Sequence, residues 1–154
     1  MMNMPGTMRR QRGAILAETV VVLPILIFLV VLTAEITNAF VDHNTLTQAV
    51  RGGARHVASN AVLGTTGVVT LQAQLITEAQ NLVVFGNISG NPPAVIPGLS
   101  VADVQVLDLG ANNIAVTASH AYSGILGPVL PSFGYGADSN LTPTLTATVT
   151  MRAL

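Results

Sequence analysis

Three histidines, seven carboxylates and no cysteine define what this 154-residue chain can do at a reacting atom. His43, His56 and His120 include no pair at the i, i+4 spacing that puts two imidazoles on one helix face for a metal, so each reads as a structural or surface residue. Asp42 and His43 are adjacent, which on a helix points them apart rather than at each other. Without cysteine there is no thiol nucleophile, no disulfide framework and no thiolate-built zinc site. Serines and threonines are plentiful, yet none sits in a nucleophile elbow, and no glycine-rich stretch has the form of a phosphate cradle. The sequence therefore predicts no catalytic residue, no metal and no cofactor, and it argues against an enzyme.

Charge narrows the choice of partner. Only 8% of residues are charged while 50% are apolar, too little charge for an ordinary water-facing surface. The six basic residues are all arginines and the formal net charge is −1, so no basic field exists to hold nucleic-acid phosphates. Arg9, Arg10 and Arg12 precede residue 13. Without residues 1–13 the remaining chain would have three arginines against seven acids, 3 − 7 = −4. A basic leader on an acidic body marks a processed or oriented N-terminus.

One carboxylate stands out by its surroundings. Glu18 lies inside the apolar run 14–34, twenty-one residues that as a helix at about 1.5 Å each reach the roughly 30 Å of a bilayer core. Three arginines just before this run and none in the sixteen residues after it orient a transmembrane helix with its N-terminus cytoplasmic. A carboxylate so placed costs at least a few kcal/mol unless it lies at headgroup depth or a partner supplies positive charge. Pro24 removes one backbone hydrogen bond, which a membrane helix tolerates as a kink or a loosened turn.

The elements that must position these residues follow from periodicity. Ile36, Ala39, Phe40, His43, Thr47, Val50, Ala54 and Val57 recur in steps of three and four, with Glu35, Asp42, Arg51 and Arg55 on the other face. The helix is therefore expected to continue to residue 59, giving 46 residues and about 69 Å, with Gly52-Gly53 as its weak point. Residues 60–70 read as a connection, 71–85 as a second amphipathic helix ending near Phe85-Gly86, and 86–100 as a Gly/Pro loop. Three strands are expected: 101–109 and 114–122 joined by the turn 110–113, then 144–152, where Leu145, Ala147, Val149 and Met151 alternate with four threonines. The fold class is α+β: a long N-terminal transmembrane and amphipathic helix, a second helix, and a small three-stranded antiparallel sheet that the helices cover.

The stretch Arg9-Arg-Gln-Arg-Gly13-Ala14-Ile-Leu-Ala-Glu18-Thr-Val-Val-Val-Leu-Pro24 resembles a class III signal of the type IV pilin superfamily. With Gln48-Ala-Val-Arg-Gly-Gly-Ala-Arg55-His-Val-Ala58 it is similar to the TadE/TadG-like pseudopilins of the tight-adherence (Flp) system. The resemblance covers residues 9–58 and implies a pilin-like fold and cleavage between Gly13 and Ala14 by a prepilin peptidase. It also implies that Glu18 serves assembly, its charge neutralised by the new N-terminal amine of a neighbouring subunit. Thr19 stands where many relatives carry an aromatic, and the chain is much longer than a major Flp pilin, so the resemblance implies a minor pilin.

The implied domains are a basic leader (1–13), a transmembrane helix (14–34), its amphipathic continuation (35–59) and an extracytoplasmic head (60–154). The implied partners are the prepilin peptidase, other pilins and minor pilins through the N-terminal helix, the inner-membrane assembly platform and membrane lipid, with no nucleic acid. The implied location is the bacterial inner membrane, single-pass with the head periplasmic, and incorporation into an extracellular pilus. Two other readings stay open: an exported periplasmic binding module cut after Ala39, where Thr37-Asn-Ala39 offers small residues, and an uncleaved membrane anchor.

Overall fold

The structure, a computed structural model, describes residues 7–62, 69–125, 127, 129–130, 136–137, 139–140 and 142–153, with the backbone alone for 7–14, 130, 139 and 140. The chain divides into two compact units, Met1–Thr37 and Asn38–Leu154. Helix α1, Thr7–Asn60, is 54 residues long and contains Pro24. It begins at Thr7 rather than at residue 14, because Arg9, Arg10, Gln11 and Arg12 are good helix formers and one interior glycine costs only about 1 kcal/mol. Its end at Asn60 is one residue past the expected one.

In the first unit α1 is bare. Ile15 is 61% exposed and Val20 70%, and Leu16, Val21, Leu23, Ile25, Leu26 and Ile27 are exposed alike. Glu35 departs from expectation: the periodicity places it on the polar face, and it is 6% exposed.

Within the second unit the expected stripe is buried over its C-terminal part: Val50, Ala54 and Val57 are inaccessible, together with Leu46 and Ala61, whereas Phe40 remains 65% exposed and His43 is exposed. Helix α2, Ala73–Phe85, buries Leu75, Ala79, Val83 and Val84. It stops where Gly86 takes a left-handed conformation (φ 70°), which glycine adopts without a Cβ clash, and its N–H closes on the Leu82 carbonyl at 3.0 Å. Gly53 sets the approach of the two helices. A Cβ there would meet Val83 Cγ2 at 2.6 Å and the Ala79 carbonyl oxygen at 3.3 Å. Across the same contact His56 Nε2 lies 3.1 Å from Glu78 Oε2, and Gln74 donates to Glu78 Oε1 at 2.8 Å.

The sheet has strand order β1-β2-β5 with β1 Val104–Gly110, β2 Asn113–Ala121 and β5 Thr144–Arg152, all neighbours antiparallel. The first strand starts three residues later than expected, because Ser100 donates from both its N–H (2.9 Å) and its hydroxyl (2.8 Å) to Asp103 Oδ2 and winds Val101–Asp103 into a 3₁₀ turn. The hairpin turn puts Ala111 (φ 50°) and Asn112 (φ 61°) in the left-handed region, the primed geometry that matches strand twist. Val104, Ile114, Val116, Ala118 and Ala147 present the buried face, joined in one core with α1, α2 and the loop residues Ile96 and Leu99. On the opposite face the Thr117 and Thr148 hydroxyls are 3.0 Å apart and those of Ser119 and Thr146 are 3.3 Å apart. A separate two-residue ladder, β3 (Val129–Leu130) with β4 (Ser139–Asn140), was not expected from the Gly/Pro-rich sequence around it.

Candidate functional site

Glu18 is placed by helical geometry alone. Residues 15, 18, 19, 22, 23 and 26 follow one another in steps of three and four with single-residue shifts, so Ile15, Glu18, Thr19, Val22, Leu23 and Leu26 share one face and line a shallow groove of about 380 Å³. Glu18 is exposed on this face, and among the described residues it makes no hydrogen bond or ion pair. Thr19 turns its hydroxyl inward, donating to the Ile15 carbonyl at 2.9 Å, and so presents its methyl to the surroundings. Pro24, one turn beyond Val20, has no N–H to give the Val20 carbonyl. The groove is thus an apolar face with one carboxylate and a helix that is short of one backbone bond beside it.

Gly13 and Ala14 both lie within the helical backbone of α1, and Glu18 follows Ala14 by four residues, one helical turn. The structure therefore puts Ala14, Glu18 and Pro24 on a single continuous helix.

The residues with acid–base character in the second unit are engaged otherwise. Glu78 has its carboxyl held below the usual glutamate range by the hydrogen bond from Gln74, then by His56. Asp103 is likewise lowered, first by the Ser100 hydroxyl, then by the Ser100 backbone N–H, with a smaller contribution from the charge of His120. His120, whose strand parity puts it with the apolar residues, is 6% exposed and lines a groove of about 210 Å³ with Asn38, Asp42, Tyr122 and Ser123. That groove was not legible in the sequence, since Asp42 and His120 are 78 positions apart (120 − 42). No group of three or more histidine, aspartate or glutamate side chains able to hold a metal occurs among the described residues.

The only helix among the described residues that is long and apolar enough to cross a membrane is α1, and its most apolar window is uncovered by the rest of the chain. These features are those of a single-pass anchored protein with an α+β head. Residues 13–55 match the family model described as TadE-like protein, which covers Gly13, Ala14, Glu18 and Pro24 and ends at Arg55. The resemblance read from the sequence therefore holds over this segment. Comparison with curated proteins and with solved structures gave no match.

Proposed function

We propose that this chain is a minor pilin, or pseudopilin, of a tight-adherence (Flp) pilus system, resident in the bacterial inner membrane until it is drawn into assembly. The observation that carries this reading is the TadE-like match over residues 13–55, the same segment in which one exposed carboxylate sits on an otherwise bare apolar helix. A prepilin peptidase removes the leader 1–13 by cutting between Gly13 and Ala14. Residues 14–34 span the bilayer with Arg9, Arg10 and Arg12 on the cytoplasmic side, residues 35–59 extend the helix outward, and the head 60–154 faces the periplasm.

Cleavage does more than remove charge from the leader. It creates an α-amine on Ala14 that carries a positive charge at neutral pH. On its own helix that amine sits one turn from Glu18, and in a neighbour's groove it meets a carboxylate that is expensive to leave alone in lipid. Pairing amine to carboxylate between subunits removes that cost for both and fixes the axial stagger of adjacent helices. Ile15, Val22, Leu23 and Leu26 supply the apolar contact around the pair. The missing hydrogen bond at Pro24 lets the helix loosen locally as it leaves the bilayer.

Glu18→Ala separates assembly from mere residence. The variant is expected to be cut after Gly13 and to remain in the inner membrane, yet to lose its partners. An amine left buried without its carboxylate costs about 3 kcal/mol, more than a hundredfold in an association constant. Co-purification with the partner pilins and piliation should therefore both collapse. Wild-type levels of both in Glu18→Ala would remove the assembly role.

A further inference from the structure

Among the described strands β5 has one partner, β2. In the order β1-β2-β5 it is an edge strand, and among the described residues no strand pairs with its outer side. Two backbone bonds at its ends fix which residues face that side: Ala153 donates to the Asn112 carbonyl at 2.8 Å, and Tyr122 donates to the Pro143 carbonyl at 3.0 Å. Both continue the β2–β5 register, and in an antiparallel ladder the bonding residues alternate. Leu145, Ala147, Val149 and Met151 are therefore the ones bonded to β2. Thr144, Thr146, Thr148, Thr150 and Arg152 direct their N–H and C=O groups to the open edge.

Natural sheets blunt such an edge with charge, proline, a bulge or a short length. The opposite edge of this sheet is treated in that way: β1 has a register break between Asp108 and Gly110, and Gln80 Nε2 of α2 donates to the Val104 carbonyl at 2.9 Å. Among the described residues nothing of the kind guards β5 from Thr144 to Met151, a stretch with no charge and no proline; its one charge, Arg152, stands at the strand's end.

We infer that the open edge of β5 pairs with the same strand of a second copy of this chain, antiparallel and about a two-fold axis at Thr148. The sequence is self-complementary about that residue. Thr146 falls opposite Thr150 and Thr144 opposite Arg152, so no like charges face each other. On the core face Leu145 meets Met151 and Ala147 meets Val149. The outward groups of the five edge residues on each copy give about ten backbone hydrogen bonds, and the threonine array that already links β2 to β5 runs on across the axis. Because the guarded edge of β1 offers no equivalent ladder, the pairing closes on itself as a dimer rather than propagating. It depends on the head alone and not on the pilus reading.

The test uses the full chain in detergent micelles, where the absence of native cysteine makes one introduced thiol unambiguous. Thr148→Cys should give a covalent dimer under mild oxidant or a short bis-maleimide, while Gln105→Cys, exposed on β1, should not. Adding Thr146→Pro, which removes an outward N–H and leaves the bonds to β2 intact, should lower the Thr148→Cys dimer about tenfold. In wild type the amides of Thr146, Thr148 and Thr150 should exchange slowly in a concentration-dependent way, a readout that does not depend on the proline variant folding. Rapid exchange of those amides at every concentration overturns the proposal. So does a dimer that cross-links as well through Gln105→Cys, or one that survives Thr146→Pro in a variant with wild-type circular dichroism.

Discussion

Two adjacent glycines in α1 have opposite surroundings, and they give the sharpest test of the packing at the scale of single residues. A Cβ on Gly52 meets nothing within 4 Å, so Gly52→Ala removes backbone entropy from the unfolded chain at no steric cost and should stabilise the head by about 1 kcal/mol. On Gly53 the same methyl would drive into Val83 and the Ala79 carbonyl, so Gly53→Ala should destabilise by about 1–3 kcal/mol through overpacking. Denaturant titration of the two variants measures both, and equal effects would contradict the close approach of α1 and α2. In sequence the two glycines look alike, one weak point in a long helix. Only the packing of α2 onto one side of α1 tells them apart.

The elements were mostly legible because their signals are local. Helix α2 stops at Gly86 and β5 alternates threonine with apolar residues over its full length, as periodicity and a glycine cap predict. What was not legible depends on partners distant in sequence. The stripe of α1 is buried as expected at Val50, Ala54 and Val57, but Phe40 and His43 stay exposed and Leu46 is buried, because the facing helix and sheet decide where the covered stretch begins. The pair β3–β4 comprises two residues on each side, too short to leave a period. The α1–α2 clasp of His56 with Glu78 joins residues 22 apart and adds a pH dependence. Glu78 and Asp103 both have lowered carboxyl values. Their contribution to stability is therefore complete above the unfolded carboxylate range, about 3.9–4.3, and is lost as pH falls through the lower folded values. Melting of the head should be little affected by these two groups between pH 7 and 5 and fall below about 4. In Glu78→Gln with Asp103→Asn that acid limb should be shallower, and an unchanged limb would show that neither group carries it.

For the molecule as a whole, the apolar segment and the candidate site are the same object. Glu18 was visible in the sequence as a charge out of place, and its helix face with Ile15, Thr19 and Leu23 follows from spacing alone. The proposed processing bond is less evident from structure, because Gly13 and Ala14 lie inside a helix that begins at Thr7. A peptidase cutting there must unwind the first turns, which the interior glycine makes easier by about 1 kcal/mol relative to alanine. The reading as a TadE-like minor pilin stands or falls on that bond. N-terminal sequencing of the membrane-extracted protein, after co-expression with a prepilin peptidase, tests it directly. The expected first residue is Ala14. A sequence beginning at Met1 would make the chain an uncleaved anchor, and one beginning at Phe40 would make it an exported protein with an ordinary secretory signal; either result contradicts the account.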